Sequence, residues 1–377
     1  MNDSNASIAS LFCVGLSGTE LNDEDRRILD RGVGGIVLFA RNVDMPDQIA
    51  KLIADARKHA GDDLIACVDQ EGGRVARLVD GFTTIPTMRE LGSAISNDDS
   101  DSRELAFHVG QCLGRDLSQV GFDMNFAPVL DVDTNPANPV IGDRSIGREA
   151  ELVGQVGLEI IRGLADQGIL ACGKHFPGHG DTAQDSHLEL PRLPHAMERL
   201  QDVELAPFQH VIQSLDETLI PAVAIMSAHV VFDAINDSLP GTLCPQVMSG
   251  LLREKMGFQG LCISDCLEMK AIADGQSWNG TVGAAVQSLE AGVDMPLICH
   301  THATMHAAID AAQAALDDGQ LDASRIKEAA SRLENARAFR RTARANNDMA
   351  GFEPTARFDE FVASAAVAGE DPTREGY

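Results

Sequence analysis

Short apolar runs alternate with stretches of helical periodicity along most of this chain, and this alternation limits the folds open to it. Eight runs have the length of buried strands, and amphipathic helical stretches separate them. Strands that alternate with helices predict a parallel sheet, and eight βα units suit a closed barrel of this length. The predicted strands are Leu11–Leu16, Gly35–Phe39, Leu64–Val68, Met124–Val129, Leu170–Gly173, Ala222–Met226, Leu261–Ile263 and Val293–Ile298. The clearest helices are Asp47–His59, Ser102–Gln119, Glu149–Gln167, Pro245–Lys255 and Thr281–Ala291.

The predicted fold class is therefore α/β, a single (β/α)8 TIM-type barrel with its active site at the carboxyl ends of the strands. An open doubly wound sheet is the alternative, but no GxGxxG motif follows the first predicted strand, which disfavours a dinucleotide-binding fold. We interpret residues 1–345 as the barrel and residues 346–377 as a tail. Within the tail, Arg357–Ala366 is expected to form a short amphipathic helix packed on the barrel.

The amino-acid composition limits the kinds of molecule that the protein is expected to bind. The 57 acidic and 30 basic residues give a formal net charge of −27, which argues against nucleic acid and anionic membranes. Met1–Ser10 has no basic residue and no long apolar stretch follows it, so neither a signal peptide nor a transmembrane helix is predicted. The eight cysteines are scattered without a CxxC pair, which favours reduced thiols in the cytoplasm. The oligomeric state cannot be read from this sequence.

One segment after the fifth predicted strand is unusually rich in ionisable groups. Lys174–Thr182 reads K-H-F-P-G-H-G-D-T, and Asp185–His187 (D-S-H) follows shortly after it. Its Pro and two Gly exclude a regular helix, so the segment is predicted to be a loop. Loops positioned by a rigid scaffold carry much of protein function, and this one begins at the end of a strand, where barrel enzymes hold their catalytic groups.

Candidate residues also follow four other strands of the predicted barrel. Any single Asp there is more often the N-cap of the next helix than a catalyst. A barrel would, however, place all of these residues at the same end. Polar residues after so many strands are better explained by a shared functional site than by separate helix caps. The candidates are Asp69, Arg77, Asp131, Arg144, Met226, His229 and Asp265.

Carboxylates, cations and imidazoles around one mouth suit a ligand rich in hydroxyl groups. Hydrolysis of a glycoside with retention requires a carboxylate nucleophile and a general acid/base. Asp265 ends a buried strand, so it would be rigid and partly desolvated, as a nucleophile requires. Histidine ordinarily titrates near neutrality, so His187 suits the second role, and Asp185 lies two residues away to orient its ring.

Other chemistries are less well supported. His175 and His179 would need a helix to converge on a metal, and the intervening Pro177 and Gly178 prevent one. We therefore expect no metal and no other cofactor. A Schiff base on Lys174 is disfavoured because its Arg and Asp neighbours keep the amine protonated. The group His300, His302 and His306 is interpreted as exposed histidines at the start of a helix.

At this point the sequence resembles a known family. Lys174–His187 (K-H-F-P-G-H-G-D-T-A-Q-D-S-H) is similar to the signature of family 3 glycoside hydrolases of the β-N-acetylhexosaminidase branch. Within that branch the chain is most similar to the bacterial cytoplasmic enzymes of peptidoglycan recycling, which are lone barrels. Further matching blocks, in family order, are Asp69–Arg77, Phe126–Asp133, Ile141–Gly147 and Gly257–Met269.

The resemblance implies roles for individual residues. Asp265 would be the nucleophile, His187 the acid/base and Asp185 its partner. Residues that would bind N-acetylglucosamine are Asp69, Arg77, Arg144, Lys174 and His175, with Asp131, Met226 and His229 as further candidates. The family often has a second Asp after the nucleophile. Here that residue is Cys266, which is expected to point to the other side of the strand.

The implied activity is hydrolysis of terminal β-linked N-acetylglucosamine, with a saccharide or muropeptide as the partner. Three alternatives stay open at this point. They are a family 3 β-glucosidase, a phosphorylase that uses phosphate in place of water, and a sugar-binding protein without activity.

Overall fold

Eight parallel strands close into a barrel in the computed structural model, which describes residues 7–95, 100–183, 185–186, 189–346 and 351–365. Each strand pairs with the next along the chain, and the last pairs with the first. This confirms the predicted (β/α)8 architecture. The barrel strands are β1 (Cys13–Gly15), β2 (Gly35–Leu38), β3 (Ile65–Val68), β4 (Met124–Asn125), β5 (Leu170–Phe176), β6 (Val223–Ser227), β7 (Leu261–Cys266) and β8 (Met295–Ile298).

Helices surround the barrel, and short ribbons lie outside it. The α-helices are Asp23–Leu29, Pro46–Ala60, Met88–Ala94, Ser100–Gln119, Ala150–Asp166, Met197–Arg199, Ala206–Gln213, Lys270–Ala273, Gly280–Ala291, His302–Asp317, Ala323–Asn346 and Ala356–Ala363. Gln246–Lys255 and Leu200–Glu204 are π-helical. Single 3₁₀ turns occur at Ile8–Leu11, Ala40–Asn42, Gly142–Arg144, Ile220–Ala222, Gly241–Leu243 and Gln276–Trp278. The outer strands are Gln70–Gly72 with Val75–Ala76, and Arg192–Leu193, Val231–Phe232 and Asn236–Pro240.

The helix Pro46–Ala60 illustrates why these sequences form barrel helices. It begins with Pro, whose fixed φ suits a first turn, and it ends before Gly61, which has a φ of 105°. Its apolar residues recur at the spacing that places them on one face, and burying each Ile or Leu side chain contributes about 1.5–3 kcal/mol. The buried residues are Ile49, Leu52, Ile53 and Ala56.

Three strand ends differ most from the predictions. Strand β4 ends at Asn125, but the chain stays beside its neighbours after that residue: the Phe126 N–H donates to the Val68 carbonyl at 2.8 Å, and the Ala127 carbonyl accepts from the Cys172 N–H at 2.9 Å. Pro128 has no N–H to donate, and Val129 then bridges Lys174. Strand β5 continues through Phe176, and β7 continues through Cys266. Lys174 and Asp265 therefore lie within strands, not after them, which fixes their backbones more firmly.

The described part of the tail packs on the outer helices. Its helix, Ala356–Ala363, buries Phe358 and Phe361, and Phe358 meets the ring of His108 edge-on at 6.3 Å. The predicted helix, Arg357–Ala366, overlaps this observed helix but was expected to extend further. Ala366 lies outside the described residues. The division into a barrel and a tail at residue 345 stays a prediction.

All eight cysteines lie within the described ranges, and each is a buried free thiol. Among the helices of those ranges, none is both long enough and apolar enough to cross a bilayer.

Candidate active site

The carboxyl ends of the barrel strands surround one cavity. Its lining includes seven of the residues that the sequence singled out: Asp69, Arg77, Arg144, Lys174, His175, Met226 and Asp265. Strands β5 and β7 supply Lys174, His175 and Asp265, and the loops after β3 and β4 supply the two arginines. Residues that lie up to about 200 positions apart therefore share one wall, as the barrel topology requires.

Lys174 is the centre of a buried ion network at this mouth. Its Nζ donates to Asp69 Oδ1 at 2.6 Å and lies 2.6 Å from Glu71 Oε1. The Arg144 guanidinium binds the same Glu71 through two parallel bonds of 2.8 Å. Arg77 Nη2 lies 3.5 Å from Asp69 Oδ2. Two carboxylates and three cations thus share one network, with only Asp69 substantially exposed to the cavity.

Burial and ion pairing shift these groups in opposing directions. Burial by itself would lower the pKa of Lys174, but the neighbouring Asp69 and Glu71 outweigh it and the pKa is raised. Burial likewise opposes ionisation of Glu71, yet Arg144 and Lys174 hold its pKa well below the usual range. The raised pKa favours the ammonium form of Lys174, which disfavours a Schiff-base role and suits hydrogen bonding to sugar hydroxyls.

Asp131 positions His175 and does not itself line the cavity. Its Oδ2 accepts from His175 Nδ1 at 2.7 Å, and its Oδ1 accepts from the His179 backbone N–H at 2.7 Å. Burial opposes its ionisation, but the His175 charge and these hydrogen bonds lower its pKa. Because the carboxylate only accepts, His175 must carry its proton on Nδ1, and Nε2 is left for the cavity.

The two remaining candidates, Met226 and His229, have different positions. Met226 lines the cavity as part of its apolar wall. His229 is fully buried, with Nδ1 bonded to Thr242 Oγ1 at 2.8 Å and Nε2 donating to the Cys266 carbonyl at 3.0 Å. It lies away from the cavity lining and supports the end of β7.

Asp265 lies next to last in β7, partly exposed to the cavity. Its Oδ1 accepts from the Cys266 backbone N–H at 2.7 Å. Cys266 was expected to point to the other side of the strand, and this was wrong, because it lines the same cavity. The register between β7 and β8 shifts between Ile263 and Cys266, so strict alternation of side chains is broken there.

His187 lies outside the described residues, but its neighbours Asp185 and Ser186 are described. Ser186 is buried and lines the cavity. Its hydroxyl lies 3.0 Å from His179 Nε2, and its carbonyl accepts from the Ala271 N–H at 3.2 Å. The Asp185–Ser186 pair is thus tied to the segment that follows β7, on the Asp265 side of the mouth.

Glu71 and His179 are site residues that sequence reasoning did not assign. Both lie inside blocks that matched the family, and that was the available signal. His179 is 2% exposed, and its Nδ1 donates to Thr182 Oγ1 at 2.7 Å. Burial and the nearby His175 charge lower its pKa to about 4, so the ring is neutral and Nε2 can accept from Ser186.

The histidines after β8 are not exposed, contrary to expectation. His300, His302 and His306 are all half-buried. His302 Nε2 lies 2.9 Å from Asp25 Oδ1, and His300 lines the cavity beside Asp265. The loop is drawn onto the barrel because Glu268 accepts from three of its backbone N–H groups, which hydropathy cannot predict.

Comparison with known proteins gives matches over most of the chain. The model of the glycosyl hydrolase family 3 N-terminal domain matches residues 7–336. A β-hexosaminidase of Thiobacillus denitrificans is 38% identical over 286 residues, which are 76% of this chain and 77% of that protein.

Two solved structures extend these matches to the fold. A family 3 β-N-acetylglucosaminidase of Paenibacillus sp. FPU-7 shares 39% identity at a TM-score of 0.84, covering 96% of this chain and 68% of that one. NagZ of Neisseria gonorrhoeae in complex with N-trifluoroacetyl-D-glucosamine shares 32% identity at a TM-score of 0.76, covering 95% and 98%. The resemblance seen in the sequence is thereby confirmed, and the chain belongs to glycosyl hydrolase family 3, as a glycoside hydrolase of the β-hexosaminidase branch.

Proposed function

We propose that this protein is a retaining β-N-acetylglucosaminidase in which Asp265 is the nucleophile. Asp265 would attack the anomeric carbon and form a covalent glycosyl-enzyme, which water then hydrolyses. His187 would protonate the leaving oxygen and later activate the water, with Asp185 orienting its ring.

One observation carries this proposal: the Lys174–Asp69 pair, 2.6 Å apart, lines the same cavity as Asp265. An ammonium and a carboxylate held together offer a donor and an acceptor to adjacent sugar hydroxyls. His175 Nε2 and the Arg77 guanidinium add further polar groups, while Met226 supplies apolar surface. Arg144 has three of its five donors committed to Glu71 and Val140, so it contributes mainly by fixing Glu71 under Lys174.

The acid/base assignment rests on the segment around Ser186. His179 and Ala271 hold Ser186 at the cavity, so the described residue immediately before His187 in the sequence is anchored there. A catalytic loop need not present its acid at hydrogen-bond distance before substrate binds. Because a histidine is never an anion, it avoids the repulsion that a second carboxylate would meet opposite Asp265.

The sugar is inferred from the relatives. Proteins named β-hexosaminidase and β-N-acetylglucosaminidase match most of this chain, and the Neisseria gonorrhoeae NagZ structure holds an N-acetylglucosamine analogue. We infer terminal non-reducing β-linked N-acetylglucosamine as the substrate, with peptidoglycan-derived muropeptides as its natural source. A cytoplasmic location fits the eight free cysteines, since oxidising compartments favour disulfides.

Hydrolysis of p-nitrophenyl β-glycosides tests the activity. We expect turnover of the N-acetylglucosaminide and little or none of the glucoside. A preference for the glucoside would indicate a β-glucosidase, and activity on neither would indicate a sugar-binding protein. A rate that depends on inorganic phosphate, with a sugar 1-phosphate as the product, would indicate the phosphorylase.

His187→Ala tests the acid/base role, with His195→Ala as a control on the same connection. We expect the loss in kcat to be much larger for alkyl or saccharide leaving groups than for activated aryl groups, since only the former need protonation. Azide should partly restore turnover of aryl glycosides by replacing the water that His187 activates. Equal losses on all leaving groups, without rescue, would reduce His187 to a positioning residue.

A further inference from the structure

Cys266, Cys299 and His300 form a cluster that the proposed mechanism does not use. We call these three residues the Cys2His cluster. Cys266 ends β7, whereas Cys299 and His300 follow β8, the neighbouring strand in the barrel. One ligand atom from each residue lies within 4.8 Å of the other two. Neighbouring parallel strands with matched ends thus bring two thiols and an imidazole to one point of the mouth.

This spacing is close to what a tetrahedral metal ion requires. Zn²⁺ binds thiolates at about 2.3 Å and imidazoles at about 2.0–2.1 Å, so its ligand atoms lie roughly 3.5–3.8 Å apart. The cluster reaches that size if each side chain moves by about 1 Å or less. Two soft thiolates and a borderline imidazole select zinc-like ions over magnesium or calcium, which prefer oxygen.

The backbone that carries the cluster is held in place before any ion binds. The Glu268 carboxylate accepts from the N–H groups of Cys299 at 2.9 Å and His300 at 2.6 Å. His229 Nε2 donates to the Cys266 carbonyl at 3.0 Å. Outer contacts of this kind fix the orientation of ligands and raise affinity, because less side-chain and backbone freedom is lost on binding.

The Cys2His cluster lies where a bound ion could affect the proposed reaction. Its three residues line the same cavity as Asp265, which immediately precedes Cys266. Three protein ligands leave the fourth position of a tetrahedral ion open, and here it would open towards that cavity. We propose that the Cys2His cluster binds a thiophilic divalent cation, represented by Zn²⁺, and that the bound cation slows hydrolysis by competing with the sugar for the Asp265 carboxylate.

Binding of the cation changes the protonation and hydrogen bonding of the cluster in a defined way. The two thiols release their protons to solvent, and the resulting thiolates and the neutral imidazole become ligands. The 3.4 Å contact between Arg41 Nη1 and His300 Nδ1 is broken, since a metal-bound ring cannot accept from Arg41. Arg41 keeps its bonds to the Leu16 carbonyl at 2.9 Å and the Cys299 carbonyl at 2.7 Å, so its guanidinium stays nearby.

Cation binding is tested with the metal-free full-length protein in a phosphine reductant, which prevents disulfides from mimicking the effect. Co²⁺ should produce a thiolate-to-cobalt charge-transfer band, and Zn²⁺ should abolish it. Cys299→Ser and His300→Gln should each weaken Zn²⁺ binding by at least about 100-fold in competition with a chromophoric chelator. Cys112→Ser, a buried thiol on the helix Ser100–Gln119, is the matched control and should leave the band unchanged.

Absence of the band in the parent, or its retention in both cluster variants, would overturn the proposed site. Because Cys299 is buried, circular dichroism must show that the serine variant folds, and the half-buried His300→Gln gives a second route. This readout does not depend on hydrolysis, so it decides the cation site even if the proposed function fails.

Inhibition is tested by the ratio of turnover with excess Zn²⁺ to turnover with chelator. We expect this ratio to be at least about tenfold lower in the parent than in Cys299→Ser or His300→Gln, because only the parent holds the ion beside Asp265. The same ratio in all three proteins would assign any inhibition to another location and would contradict the second half of the proposal.

Discussion

At the amino-terminal end of the barrel, Asp123 and Asp294 each bind three arginines, whereas at the carboxy-terminal end Asp69 and Glu71 share Lys174. Asp123 precedes β4 and accepts from the Ala66 N–H at 2.7 Å, and Asp294 precedes β8 and accepts from the Cys262 N–H at 2.9 Å. Their arginine partners are Arg57, Arg340 and Arg344 for Asp123, and Arg253, Arg325 and Arg332 for Asp294.

The two ends differ in where their cations come from. At the amino-terminal end of the barrel, which we call the base, the arginines project from outer helices that include Pro46–Ala60 and Ala323–Asn346. Each carboxylate therefore connects the helical layer to the barrel. At the mouth, Lys174 projects from a strand and Arg144 from a loop, and both line the cavity. The same chemical pairs therefore lock the fold at one end and present polar groups to a ligand at the other, as expected for the two faces of this fold.

The largest effect should come from Asp265→Asn at the mouth. Removing the nucleophile eliminates the covalent step, so kcat on the p-nitrophenyl N-acetylglucosaminide should fall by roughly 10⁴-fold or more. The melting temperature should change little, because Asp265 is partly exposed and asparagine has nearly the same volume as aspartate. A fluorinated substrate that traps the intermediate should label the peptide Leu261–Lys270 of the parent. Labelling at Asp69 or Asp131 would contradict the assignment.

Asp294→Asn at the base should produce the opposite pattern. It leaves three arginines beside a neutral amide, and breaking a buried ion pair costs about 3–5 kcal/mol of stability. The free energy of unfolding from urea titration should fall by that amount, while kcat of the folded protein stays within about twofold. Asp63→Asn, which breaks the exposed pair with Arg341, is the control and should cost less than about 1 kcal/mol. A large loss of kcat at unchanged stability would show that Asp294 serves activity and not stability, and would contradict the proposed difference between the two ends.

Lys174→Met tests whether a mouth residue can serve both purposes. It removes the ammonium that Asp69 and Glu71 share, and truncating one partner of a buried charge pair costs about 2–5 kcal/mol. We expect kcat/KM to fall by roughly 10²-fold or more and stability to fall with it. Arg148→Met removes an exposed partner of Asp133 at 3.3 Å and should change neither quantity appreciably. A Lys174 variant that binds N-acetylglucosamine as well as the parent would remove this residue from the binding site.

The barrel could be predicted from the sequence because its signal is local. Apolar runs of strand length between amphipathic helices are visible within short windows, and all eight strands were placed. The ends of β5 and β7 were missed because Lys174 and Asp265 are polar residues inside strands. The burial of Lys174 depends on partners from distant loops, such as Glu71, which no hydropathy pattern can reveal.

The candidate site was predictable to the extent that it lay in motif blocks. Lys174, His175 and Asp265 were found in this way and line one cavity. The Cys2His cluster was missed because Cys266 and Cys299 are 33 positions apart and meet only through the pairing of β7 with β8. Proximity of this kind depends on the register between paired strands, which cannot be predicted from short stretches of sequence.

The effect that we predict to be smallest at neutral pH concerns His179, a neutral group inside the mouth. Its folded pKa of about 4 lies below the ordinary 6.5, because burial and His175 disfavour the charged ring more than Asp131 and Asp265 favour it. Between these values the unfolded chain binds a proton that the folded protein does not. Stability is therefore lost as pH falls from about 6.5 to about 4, by at most about 1.4 kcal/mol per pH unit, and the loss levels off below that.

His179→Gln should remove this contribution while an amide still bonds Thr182 and Ser186. The difference in unfolding free energy between parent and variant should therefore change with pH only inside that window, as measured by urea titrations between pH 4 and 8. Asp294→Asn serves as the comparison from the base, since its arginine partners stay charged throughout. If His179→Gln instead shifts stability equally at every pH, then the ring is held for packing alone. The mouth would then resemble the base in relying on groups that do not titrate near neutrality.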